Sequence, residues 1–114
     1  MTARSTAILF TRFGLGEAPA DLQLRLAVNF LMLLEQVDEG PSALLFYGDG
    51  VKLVCEGSPV LELLRALESR GASLTSCRTC LEHFGLTDKV QVGQPGGMPA
   101  IVEAMTRADK VISV

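Results

Sequence analysis

SPVLELLRALESRGASLTS, residues 58–76, reads as one helix that runs straight into one short strand. Ser58 is a favoured helix N-cap, and Pro59 at the first helical position forfeits no hydrogen bond. Val60, Leu61, Leu63, Leu64 and Leu67 follow as an apolar stripe at helical spacing. Arg70-Gly71 ends the helix, because glycine takes the left-handed closing conformation freely. Ser73 to Ser76 is then a strand. Upstream, Ala43 to Tyr47 is an apolar run of strand length, closed by the turn signal Gly48-Asp49-Gly50. Strand, helix and strand in roughly 30 residues form a βαβ unit, whose two strands run parallel.

The same alternation extends both ways. Ala7 to Thr11 reads as a buried strand, and Asp21 to Asp38 as a helix stopped by Gly40-Pro41. Val51 to Cys55 fits a strand extension or a loop equally. Thr79 to Phe84 reads as a short helix, Lys89 to Val92 as a weak edge strand, Pro99 to Ala108 as a helix and Lys110 to Val114 as a last strand. The expected fold is a single α/β domain over residues 1–114. It is a three-layer α/β/α sandwich on a mainly parallel, five-stranded sheet.

Composition narrows the function. Hydrophobic residues make up 48% of the 114, enough for a real core. The net charge is −3, which argues against a basic nucleic-acid face, and without Trp there is little for bases to stack on. No apolar run reaches the ~20 residues that span a bilayer. Met1 to Phe10 has only a four-residue apolar run and does not read as a secretory signal. Three cysteines, an odd number, suit a reducing cytoplasm better than a disulfide scaffold.

Ligands of open parallel sheets bind beyond the carboxyl ends of the strands. Four segments leave the sheet at that rim: Arg12 to Ala18, Tyr47 to Gly57, Ser76 to Cys80 and Gly93 to Met98. They hold eight of the eleven glycines and all three cysteines. Cys77-Arg78-Thr79-Cys80 is a C-x-x-C between a strand and a helix. Thr79 and Glu82 fit a capping box, which sets Cys77 just outside the helix N-terminus and Cys80 on its first turn. Unpaired N–H groups there, with Arg78 beside them, favour a thiolate, so Cys77 is expected to alkylate fastest.

Cys55 is a lone thiol in a loop, and His83 lies three residues after Cys80. Those two are all that could complete a zinc site with the C-x-x-C, so no metal is expected. Gly14-Leu15-Gly16 lacks the third glycine of a dinucleotide loop, and Gly93 to Gly97 lacks the Lys-Ser/Thr of a phosphate loop. No cofactor is expected. Gly14, Gly16 and Arg78 remain candidates for holding an anion, with tight turns as the plainer reading of the glycines.

Leu22, Leu24, Leu26, Ala27, Val28, Phe30, Leu31, Met32, Leu33, Leu34 and Val37 surround most of the helix Asp21 to Asp38. A surface helix of a small domain needs a polar face, and Arg25, Asn29 and Gln36 supply only a narrow one. Burying one Leu contributes about 1.5–3 kcal/mol, so association is expected, with Phe30, Leu31 and Leu34 at or near the interface.

Val51-Lys52-Leu53-Val54-Cys55-Glu56-Gly57-Ser58-Pro59-Val60-Leu61, Ser76-Cys77-Arg78-Thr79-Cys80-Leu81 and Phe84-Gly85-Leu86 resemble the DsrE-like family. Within it they are closest to the DsrE-like domain of YedF-type proteins, described as sulfurtransferase-like and linked to selenium metabolism. The resemblance implies a DsrEFH-like α/β/α fold and homo-oligomers, often trimers or hexamers. It implies a sulfur-relay role in which Cys77 carries a persulfide. Cys80 and Cys55 match further cysteines of the YedF-type pattern. Arg78 replaces a glycine common there, and no TusA-like domain is present, so a TusA-like or other carrier protein is the expected partner. Two other classes compete: a thiol–disulfide redox protein using Cys77 and Cys80, and a non-catalytic oligomeric module that holds a small ligand at the glycine-rich rim.

Overall fold

The computed structural model describes residues 5–114. The expectation that Met1 to Phe10 is not a secretory signal falls partly on residues 1–4, which lie outside the described residues. Strands are β1 (Thr6–Phe10), β2 (Ala43–Phe46), β3 (Ser73–Cys77), β4 (Gln94–Gly96) and β5 (Lys110–Ser113). Helices are α1 (Ala20–Glu35), α2 (Leu61–Ser69), α3 (Arg78–His83) and α4 (Met98–Arg107). The sheet runs β4-β3-β2-β1-β5, and every pairing is parallel. The three-layer α/β/α architecture read from the sequence is therefore the observed one.

Strand alternation assigns the faces. The registers Phe10↔Phe46↔Ser76 and Ile8↔Leu44↔Leu74 set these residues on one face. Phe10 stacks on Phe46 with ring centroids 5.1 Å apart, and Phe30 of α1 meets Phe10 edge-on at 6.3 Å. Thr75 and Cys77 point to the other face. A Cβ on Gly96 would meet Thr75 Cγ2 at 2.7 Å and Ala100 of α4 at 3.6 Å, so α4 covers that side. Right-handed crossovers require this division. The chain steps one way from β1 to β4 beneath α1 and α2, then returns to β5 beneath α4.

Local readings needed correction. The fourth strand is Gln94–Gly96, not Lys89 to Val92; Val90 instead forms an isolated antiparallel bridge to Cys55. A proline inside β4 is tolerated because β4 is an edge strand. Gly93 therefore enters β4 at the amino end, beside Leu74, while Gly97 leaves at the carboxyl end. Gly14, Gly48 and Cys77 share the carboxyl rim as expected; Gly93 does not.

Val51 to Cys55 is neither strand nor loop, since Gly48–Val54 winds as a 3-10 helix. Ser58 accepts a hydrogen bond from the Val60 N–H at 3.3 Å in a turn, and α2 starts only at Leu61. Thr79 does not cap α3. Cys77 holds that position without a side-chain hydrogen bond, because β3 runs into α3 with no intervening loop.

Leu31 lies fully in the core, whereas Phe30 and Leu34 are half-buried. The outward apolar residues of α1 are Leu22, Leu26, Met32 and Leu33, with Leu33 64% exposed, and exposed Val37 follows just beyond the helix.

Candidate functional site

The carboxyl rim gathers two of the three thiols because β3 delivers one of them to its last residue. Cys77 ends the strand in an extended conformation (φ −67°, ψ 119°) and begins α3. It is 1% exposed. One turn on, Cys80 is half-buried and is the more accessible of the pair. The Gly48 N–H donates to Cys80 Sγ at 3.2 Å. This N–H is available because Gly48 leaves β2 at the same rim and opens the 3-10 helix, ahead of that helix's own hydrogen bonds.

Burial raises the Cys80 pKa above the ordinary thiol value. The Gly48 N–H opposes that shift, while the Cys77 thiol adds to it through a hydrogen bond and through charge repulsion. Both thiols are free and stand one helical turn apart, and a negative charge on Cys77 disfavours one on Cys80. The expectation that Cys77 is the fastest thiol runs against its burial, since helix-end electrostatics cannot act on a reagent that does not reach the sulfur.

Cys55 stands apart. Its thiol donates to the Val51 carbonyl at 3.2 Å inside the 3-10 segment, and burial raises its pKa. It lines a cavity of about 410 Å³ with Phe13, Lys52, Glu56, Gly57, Ser58, Phe84 and Leu86. Arg78 is exposed at the start of α3. His83 is also exposed, and its ring meets Phe84 edge-on at 5.1 Å.

Gly14 is buried against α1. A Cβ there would lie 2.5 Å from the Gln23 backbone, so this glycine serves close packing (φ +143°). Gly16 has open space around it. Ser76, one residue before Cys77 and on the opposite sheet face, has a buried hydroxyl with no hydrogen-bond partner among the described residues.

Sequence reading missed the sulfur-bound N–H of Gly48, the Lys52–Phe84 wall of the cavity and the solitary hydroxyl of Ser76. Gly48 was visible only as a turn glycine. The other two required knowing which segments meet.

The sequence matches the DsrE/DsrF-like family over residues 13–114. The chain belongs to this family. Among solved structures it resembles the ychN protein from E. coli, with TM-score 0.70, 20% identity and coverage of 98% of this chain and 100% of that one. It also resembles MTH1491 from Methanobacterium thermoautotrophicum, a protein of unknown function, with TM-score 0.67, 17% identity and coverage of 96% and 99%. A third is BT1422 from Bacteroides thetaiotaomicron, likewise of unknown function, with TM-score 0.62, 14% identity and coverage of 96% and 95%. At these identities the likeness establishes the fold. No curated protein matches the sequence significantly. Membership of the family supports a role of the sulfur-relay type. No helix is long and apolar enough to cross a membrane among the described residues, and none of their His, Cys, Asp and Glu clusters suits a metal ion.

Proposed function

We propose that the protein carries sulfane sulfur, or selenium, as a persulfide on the Cys77–Cys80 pair and passes it to a carrier protein. The observation that carries the reading is the Gly48 N–H donating to Cys80 Sγ, one helical turn from Cys77 at the join of β3 and α3. That donor suits a sulfur anion, which a persulfide bears at neutral pH more readily than a thiol does. Cys80 meets the donor first, because it is the accessible sulfur. Its thiolate attacks the terminal sulfur of R–S–SH. A new S–S bond forms, the old one breaks, and R–SH leaves with the proton. Cys77 then receives that sulfur from Cys80, the position the resemblance gives to the persulfide. Alternatively it attacks the inner sulfur, forming a Cys77–Cys80 disulfide and releasing sulfide.

The Cys55-Glu56-Gly57-Ser58-Pro59 and Cys77–Cys80 segments favour the YedF-type branch and hence a TusA-like partner. Free thiols at all three cysteines suit the reducing cytoplasm. The outer face of α1 supports self-association. A dithiol redox role is the second reading, favoured by two free thiols one helical turn apart. Mass spectrometry after exposure to polysulfide separates them. Gain of one sulfur on the pair, lost in Cys80→Ser, supports the carrier. Oxidation to a disulfide with no persulfide form supports the redox protein and overturns the carrier.

A further inference from the structure

We infer that the cavity between Phe13, Phe84 and Leu86 is a binding site for a small organic monoanion with an aromatic or branched aliphatic body. Its volume of about 410 Å³ falls within the ~300–1,000 Å³ usual for small-molecule sites, which pair apolar walls with a few convergent polar groups. Phe13, Phe84 and Leu86 form the apolar walls, and the neutral, buried Cys55 thiol adds to them. The polar groups are Lys52 and Ser58. The Lys52 ammonium sits 4.4 Å from the centroid of the Phe84 ring and is tethered to Asp49 at 2.8 Å. An ammonium has three donors, and Asp49 occupies one of them. The cation is thus held in place above an aromatic wall with donors to spare, so ordering it on binding costs little. The Ser58 hydroxyl accepts from the Val60 N–H and keeps its own proton for a ligand.

The charge of the ligand follows from the surroundings. Among the described residues Lys52 is the sole cation lining the cavity, and it is a point charge, suited to one compact carboxylate or sulfonate. Glu56 lines the same mouth, with Lys89 3.7 Å away, and Asp49 lies beside Lys52. Two carboxylates flanking one ammonium disfavour a phosphate dianion. The site is independent of the sulfur chemistry of Cys77 and Cys80, neither of which lines the cavity.

A matched pair of probes tests the inference: 4-phenylbutyrate and 4-phenyl-1-butanol share a body and differ in charge. Each is titrated into the full chain while backbone amide NMR shifts are recorded. Saturable shifts around Gly57, Ser58 and Phe84, with the carboxylate at least tenfold tighter than the alcohol, are expected. Lys52→Met should abolish that tenfold preference, and Asp49→Asn, which frees the ammonium, should strengthen it. Equal affinity of acid and alcohol, shifts mapping to the outer face of α1, or no saturation each overturn the inference. The comparison of the two probes needs no variant, so a misfolded variant does not protect it. Loss of persulfide loading with intact probe binding would sink the proposed function and leave this site standing.

Discussion

Cys77 and Cys80 differ at the level of single atoms. Cys77 is shut in by the end of its own strand, while Cys80 lies one helical turn nearer solvent with the Gly48 N–H on its sulfur. Iodoacetamide should therefore label Cys80 first, Cys77 more slowly and Cys55 only on unfolding, read by peptide mass spectrometry. Because the Cys80 pKa is raised, its labelling rate should keep climbing from neutral pH through the ordinary thiol range without an early plateau. Rapid labelling of Cys77 at neutral pH would contradict this ranking.

Cys55 predicts a pH-dependent stability. Folding raises its pKa by burial, so its contribution is complete below the unfolded thiol value and is lost as pH rises through the raised one. Urea midpoints of the wild type should fall over that alkaline window, and those of Cys55→Ala should fall less. Ser76→Ala removes a buried hydroxyl that has no partner among the described residues, and it should be neutral or stabilise by about 1 kcal/mol. A clear loss of stability in the same assay would mean the hydroxyl has a partner.

At the scale of elements, the joins between segments set the site. The 3-10 helix Gly48–Val54 reaches the rim only because Gly50 lets it pass over β1. A Cβ there would lie 2.0 Å from the Phe10 carbonyl oxygen, which is backbone and cannot yield. Gly50→Ala should cost at least about 3 kcal/mol in chemical denaturation and displace the Gly48 N–H from Cys80. A second join ties α2 to α1. The Arg70 guanidinium donates to the carbonyls of Glu35, Val37 and Asp38, closing the end of α1, which has no basic residue in its last turn. Hydrogen exchange in the last turn of α1 should quicken in Arg70→Ala, with a stability loss of about 1 kcal/mol for this exposed cap. The sequence reading identified all four helices. It misplaced their starts wherever a strand or turn ran directly into the helix, as at Cys77 and Val60.

For the whole molecule, the outward face of α1 is an uncovered apolar surface. Leu22, Leu26 and Leu33 line up along it, Met32 stands beside them, and exposed Val37 follows just past the helix end. Such a stripe on a small domain favours a homo-oligomer. Leu33→Glu should shift the mass by light scattering toward the monomer while changing the stability of the isolated chain by less than about 0.5 kcal/mol. Leu31→Glu, two residues away but fully buried, should unfold the chain instead. A monodisperse wild-type monomer at micromolar concentration would overturn the association.

Periodicity and turn chemistry carried the layer architecture, because hydrophobic spacing and the punctuation at Gly40-Pro41, Gly48-Asp49-Gly50 and Gly71 are local properties of the chain. The placement of Cys77 between a strand and a helix was legible for the same reason, as was its separation from Cys80 by one turn, although the strand runs one residue further than the sequence reading had it. Burial was not legible. Whether Leu31 or Leu33 faces the core depends on the rotation of α1 against Phe10 and Phe46. Both residues have the same chemistry, so composition cannot distinguish them. The strand Gln94–Gly96 looked like a turn, and only its pairing with Thr75 to Cys77 supplied the hydrogen bonds that extend it. The Gly48 N–H on Cys80 and the Lys52 ammonium over Phe84 join residues about 30 positions apart, a proximity that exists only after the sheet closes.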